Sequence, residues 1–227
     1  MAASERVSPH LSWIKRLHGQ FVLQRRAQVL AEMLAAALPQ SAKVVDVGCG
    51  DGAIGRLIAN LRPDISIQGL EYKVREGCKI ECRPFDGSHL PFPDAAFDVC
   101  LFVDVLHHTQ DVSLLLGEAV RVTRSFVLIK DHLNENVLDD ATLRFMDWVG
   151  NRPHGVVLTY NYQSRKQWNE HFSRMGLESE SWTSALPIYA SPFHFIFGRK
   201  LHFISLLRKT GQKFLRNPAE SHSAGKE

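Results

Sequence analysis

The chain has 227 residues, 44% of them hydrophobic, with 27 Lys and Arg against 24 Asp and Glu and a formal net charge of +3. That length fills one core and is short for two, so one domain is expected. The small, dispersed charge gives no electrostatic footprint for nucleic acid, and no apolar run approaches the roughly 20 residues that span a bilayer. The opening MAASERVSPH also lacks the apolar core of an export signal. A cytoplasmic protein with a small-molecule partner is the expectation, its oligomeric state open.

Residues 11–38 place Leu, Ile, Val, Phe and Met at three- and four-residue spacings with Lys15, Arg16, Arg25 and Arg26 between them, and Pro39 follows. This predicts one or two amphipathic helices packed on the domain, so residues 1–40 form an N-terminal helical segment and the core domain runs over 41–210. Next comes VVDVGCGDGAIG at 44–55. The valines favour a buried strand, and Gly48, Gly50 and Gly52 permit positive φ and remove the Cβ atoms that would hold a ligand off the backbone. Ile54, Leu57 and Ile58 then open a helix, whose free N–H groups face the strand end.

Ile65–Leu70 alternates into a second strand that ends at Glu71, and a short third strand over Ile80–Phe85 ends at Asp86. The proline-bounded loop PFPD leads to an almost wholly apolar fourth strand, Phe97–Val103, followed by Asp104, His107 and His108. Leu114–Val122 has helical period, and Ser125–Lys130 is a fifth strand with Asp131 and His132 beyond its tip. Residues 133–163 interrupt the alternation and read as a substrate wall or lid. Gln167–Met175 returns to helix, Glu178–Ser184 and Leu201–Leu207 are two last strands, and 211–227 is a polar tail. Strand and helix in alternation predict a Rossmann-like, doubly wound α/β sheet that binds ligands at its carboxyl edge.

The glycine turn admits two readings. Gly48, Gly50 and Ala53 satisfy the loose dinucleotide pattern, with Glu71 about 20 residues on where a ribose carboxylate belongs. Asp46, however, stands two residues before the first glycine, and its charge repels a pyrophosphate and suits an ammonium or a sulfonium. DVGCGDG, Glu71 after the second strand, FDGSHLPFPDAAFDVCLFVDVLHH and FHFIFGRKLHFISLLRK follow the order found in UbiE-like class I S-adenosylmethionine (SAM)-dependent methyltransferases, and the chain resembles that family. The resemblance implies seven strands, mostly parallel with the last antiparallel, and SAM as cofactor. It implies that Asp46, Gly48, Cys49, Gly50 and Gly52 hold the methionine end and that Glu71, beside Tyr72, accepts both ribose hydroxyls. Asp86 and Gly87 meet the adenine amino group, and Phe102 and Val103 receive the ammonium. Asp104 is read as a cap of the next turn. The stretch 72–77 is shorter than the helix the family has there, and no Asn-Pro-Pro-Tyr element follows the fourth strand, which disfavours methylation of nucleobase amino groups.

For the acceptor, the sequence offers His107 and His108 and a group in the insertion: Asp147, Trp148, Asn151, His154, Tyr160, Asn161 and Tyr162. Mixed aromatic and amide side chains suit a planar or polar acceptor, though each also serves as core. His132 and His154 are the candidate bases for an oxygen acceptor, and proximity without an essential histidine is the alternative. Two other functions stay open, a SAM-binding protein without transfer and an NAD(P)-dependent oxidoreductase. The cysteines are Cys49, Cys78, Cys82 and Cys100; reduced thiols are expected, and no metal, since Cys78 and Cys82 lack a second Cys/His pair at zinc spacing.

Overall fold

A computed structural model describes residues 24–151, 159–184, 186–189 and 200–210, the side chains of 149–151 excepted. Helix α1 covers residues 24–37. It is followed by β1 (Lys43–Val47), α2 (Ala53–Leu61), β2 (Ser66–Glu71), β3 (Cys82–Pro84), β4 (Phe97–Val103), α3 (Val112–Val122), β5 (Thr123–His132), α4 (Val137–Asn151), α5 (Arg165–Arg174), β6 (Leu177–Thr183) and β7 (His202–Lys209). The strands form one seven-stranded sheet in the order β3-β2-β1-β4-β5-β7-β6. β7 alone runs antiparallel, against both β5 and β6.

The apolar runs of β1 and β4 are continuous because both sheet faces are covered. Val44, Val99, Leu101 and Leu128 pack on one side with Leu30 and Leu34 of the first helix, Leu38 just after it and Ile58 of α2. Val45, Val47, Cys100, Phe102 and Ile129 pack on the other with Leu115, Ala119 and Val122 of α3 and Trp168 and Phe172 of α5. Period-2 alternation therefore divides each strand between two cores rather than between core and water. α5 starts at a capping box, with Ser164 and Gln167 each satisfying the other's backbone, and its Trp168 and Phe172 lie one turn apart on the buried face.

The predicted bounds of β4 are the observed ones, whereas β3 is three residues long where six were expected. Pro84 carries no N–H, and as an edge strand β3 tolerates it only at its end. β5 runs past the predicted Lys130 because β7 continues to pair with it, Asp131 opposite Phe203 and His132 opposite His202. Those two residues belong to the strand, not to a tip beyond it. The insertion contains α4 and then turns back to the sheet at 159–163. The tail 211–227 and the predicted helical positions before residue 24 lie outside the described residues.

Candidate active site

The glycine loop follows β1 and is held by the neighbouring strand: the N–H groups of Gly48 and Cys49 both donate to the carbonyl of Leu70, at 2.8 and 3.1 Å. Gly48, Gly50 and Gly52 have φ of 73°, 61° and 72°, values that L side chains adopt at a cost. At Gly48 an added Cβ would lie 2.6 Å from Cγ2 of Val105, whereas at Gly50 it would meet nothing within 4 Å. Gly48 thus serves packing against the segment after β4, and Gly50 faces open space. Glu71 closes the far side: its Oε2 accepts the Gly50 N–H at 2.7 Å and its Oε1 the Tyr72 N–H at 3.0 Å. Asp46 lies beneath, 2% exposed. Burial and then the charge of Glu71 raise its carboxyl pKa to about 7.

Beyond β3, Asp86 Oδ1 accepts the N–H groups of Ser88 and His89 at 2.8 and 2.7 Å. Tyr72, 72% exposed, stands over Gly87, where an added Cβ would be 3.7 Å from its ring. Phe102 is buried opposite Val47, and Val103 pairs with Lys130. Asp46, the glycine loop, Glu71, Tyr72, Asp86, Gly87, Phe102 and Val103 therefore line consecutive strand ends.

The other half of the edge is a buried polar cluster. Asp131, fully buried, accepts Leu106 N–H at 2.9 Å and His132 N–H at 2.7 Å, and its Oδ1 is 2.6 Å from His107 Nδ1. The turn after β4 is thus capped by Asp131 from β5. Asp104, expected to be the cap, has φ 57° and pairs instead with Arg26 of the first helix at 2.7 Å and with Lys130. The reason is that the turn's N–H groups face β5, while the left-handed backbone at Asp104 aims its carboxylate across the sheet end. Lys130 and Arg26 hold that carboxyl well below its ordinary range in spite of burial.

His132 Nδ1 lies 3.2 Å from His107 Nδ1, and the His107 and His108 rings are 4.0 Å apart. His107 Nε2 is buried with no hydrogen-bond partner and lies 3.5 Å from Asp147 Oδ2. Asp147 in turn accepts the Tyr162 hydroxyl at 2.5 Å. The return of the insertion is tied to the same turn, since Thr159 Oγ1 and Asn161 N–H both donate to the His107 carbonyl and Asn161 Nδ2 donates to that of Thr109. Tyr160 stacks under the Arg144 guanidinium at 4.8 Å, and Trp148 is 47% exposed on α4. His154 and the side chain of Asn151 lie outside the described residues.

Charge decides how the two central histidines differ. Burial opposes protonation of His107, but Asp131, Asp104 and Asp147 outweigh it and raise its pKa above 6.5. Burial and the neighbouring His107 lower that of His132. Sequence reasoning missed Arg26, Lys130 and His202, the last with Nδ1 3.3 Å from Lys130 Nζ and Nε2 3.1 Å from the Tyr189 hydroxyl. Their single visible signal was a lysine closing the apolar run FVLIK.

Sheet order, an antiparallel seventh strand and a glycine cradle at the carboxyl edge define a Rossmann-like methyltransferase fold. Residues 45–127 match the methyltransferase domain family. Over 200 residues the chain is 30% identical to 27-O-demethylrifamycin SV methyltransferase of Amycolatopsis mediterranei, covering 74% of this chain and 69% of that enzyme. The fold is similar to that of the methyltransferase in complex with the Haloferax volcanii Trm112 activator, with TM-score 0.63 and 17% identity over 88% of this chain and 97% of that one. It is also similar to a SAM-dependent methyltransferase from Mesorhizobium loti, with TM-score 0.58 and 17% identity over 78% and 96% of the two chains. The chain belongs to the class I SAM-dependent methyltransferases, and its cofactor is SAM. The cradle fits that group: the space at Gly50 is open, a carboxylate stands at the ribose distance in sequence, and a second buried carboxyl lies under the loop.

Proposed function

We propose that the protein transfers a methyl group to an oxygen, or to an activated carbon, of a small-molecule acceptor, with His107 as general base. SAM supplies an electrophilic methyl on a sulfonium sulfur. In this reading Asp46, Cys49 and the loop glycines hold the methionine end, Glu71 and Tyr72 the ribose, Asp86 and Gly87 the adenine, and the backbone at Phe102 and Val103 the ammonium. His108, Trp148, Asn151, Tyr160, Asn161 and Tyr162 wall the acceptor. The observation that supports the base is buried His107 itself, its Nδ1 fixed on Asp131 and its Nε2 3.5 Å from Asp147 Oδ2 at the return of the insertion. With Nδ1 donating to the Asp131 carboxylate, the neutral ring carries its lone pair at Nε2, and an acceptor hydroxyl takes the place on that side that Asp147 occupies in this structure. Asp131 orients the ring and stabilises the imidazolium after proton transfer, while the protein aligns acceptor and methyl and excludes water. A cytoplasmic setting is supported by four free thiols, and no helix of the described residues is long and apolar enough to cross a membrane.

The test is formation of S-adenosylhomocysteine from SAM with a panel of phenols, aliphatic alcohols and enolisable carbonyl compounds. His107→Asn keeps a donor for Asp131 but removes Nε2, so transfer falls by roughly 10²–10⁴-fold with SAM affinity unchanged. The wild-type rate rises with pH through a pKa above 6.5, because the base works deprotonated. A rise confined below 6.5 assigns the base to His132, whose pKa is lowered. Full activity in His107→Asn and His132→Ala with a flat profile establishes catalysis by proximity alone. SAM binding with no turnover on any acceptor supports a binding protein without transfer.

The buried carboxyl under the loop adds a second expectation. Asp46 is half-protonated near pH 7 in the free protein, and a cationic ligand favours its ionised form, so SAM binding expels a proton. Affinity therefore increases as pH rises to about 7 and levels off above it. Calorimetry in buffers of different ionisation enthalpy reads the released proton directly. Zero release at pH 6.5, or affinity that falls with rising pH, removes Asp46 from the methionine end.

A further inference from the structure

Read in sequence, Cys78 and Cys82 lack partners for a metal, but the fold supplies a third thiol. The loop after β1 brings Cys49 Sγ to 3.5 Å from Cys82 Sγ at the start of β3, and Cys78 completes a trio whose sulfurs all lie within 4.8 Å of one another. Three thiolates about one tetrahedral ion, with metal–sulfur bonds of about 2.3 Å, stand about 3.8 Å apart. The trio brackets that spacing, with one pair at 3.5 Å and every pair within 4.8 Å.

Space has been cleared for these sulfurs. Gly69, which pairs with Cys82, would place a Cβ 2.6 Å from Cys49 Sγ, and Gly52 would place one 3.0 Å from Cys78 Sγ. The surroundings favour a cation too. Two carboxyl groups stand at the same loop, Glu71 on the Gly50 N–H at 2.7 Å and Asp46 buried beneath it.

We propose that Cys49, Cys78 and Cys82 bind one thiophilic d¹⁰ cation, Zn²⁺ or its analogue Cd²⁺, which clips the glycine loop to the connection between β2 and β3. On binding, each S–H bond breaks, its proton leaves to solvent and a sulfur–metal bond forms, so three protons are released and no electrons move. Water completes a tetrahedron. The connection contains no helix over 72–81; Lys79 already ties it to Asp51 of the glycine loop, through its N–H to the Asp51 carbonyl at 3.0 Å and its ammonium to Asp51 Oδ2 at 2.8 Å, and the ion adds a second tie beside that one. The histidine and aspartate clusters at the strand ends are poorer hosts, because Asp104 is already paired with Lys130 and Arg26 and His107 with Asp131.

The experiment titrates reduced, metal-free full-length protein with Cd²⁺ under argon and follows sulfur-to-metal charge-transfer absorption and proton release. The band saturates at one equivalent in the wild type and in Cys100→Ser, a thiol buried in β4 away from the trio. Cys78→Ser and Cys82→Ser, both at partly exposed sites, weaken binding beyond the roughly 10–100-fold typical of losing an outer partner, and the band shrinks. Absence of a saturable band overturns the proposal. So does binding that survives both substitutions unchanged, which places the ion elsewhere. Cys49→Ser gives the same loss as the other two, and its thermal midpoint, measured without metal, separates loss of a ligand from loss of the loop.

Discussion

Gly50→Val abolishes SAM binding and leaves the protein folded. The added Cβ meets no protein atom within 4 Å, so the cost to the fold is that of a β-branched residue at φ 61°, on the order of 1–2 kcal/mol. The isopropyl group instead fills the open side of the loop, where the ligand has to approach the backbone. Gly48→Val is the contrasting variant: at φ 73° its Cβ would lie 2.6 Å from Val105, so it loses stability as well as binding. Glu71→Ala is milder, weakening SAM and S-adenosylhomocysteine by ~1.5–3 kcal/mol, the scale of charge-assisted hydrogen bonds. Calorimetry with thermal unfolding in parallel distinguishes the three. SAM affinity retained in Gly50→Val moves the cofactor off the loop, and unchanged affinity in Glu71→Ala moves the ribose off Glu71.

Asp131→Ala has the largest expected cost in stability, about 3–5 kcal/mol, because it strands three buried donors at once. Leu106 N–H, His132 N–H and His107 Nδ1 all converge on that carboxylate. Asn supplies a single oxygen for them, so Asp131→Asn recovers only part of the loss. The pH dependence follows from the two partners. His107 and His132 hold the Asp131 carboxyl below its ordinary range in spite of burial, so its contribution is complete above the unfolded pKa near 3.9 and is lost as pH falls through the folded value. His107 is raised, so its contribution is complete below about 6.5 and is lost as pH rises through its folded pKa. Stability from the pair is therefore greatest between about pH 4 and 6.5. Urea denaturation across that range shows a maximum in the wild type that flattens in Asp131→Ala. A loss under about 1 kcal/mol, with an unchanged profile, removes the carboxylate as the anchor of the site.

What the sequence by itself determined is local. The strand–glycine–helix junction at 44–61, the bounds of β4, the alternation that forces a doubly covered sheet and the acidic residue after β2 are all set by neighbours in the chain, so periodicity and turn chemistry disclose them. The acceptor side was legible only as a set of candidates. Asp104 meets Arg26 and Lys130 across separations of 78 and 26 residues, and Asp131 caps a turn 25 residues earlier. Cys49 and Cys82, 33 residues apart, become neighbours only because β1 and β3 flank β2. Contacts of this kind depend on strand order and on how far β7 extends the pairing of β5, which the tertiary structure decided. The physical reason is that a buried charge takes whichever partner the packed elements deliver to it, since leaving it unpaired costs more than any local preference along the chain.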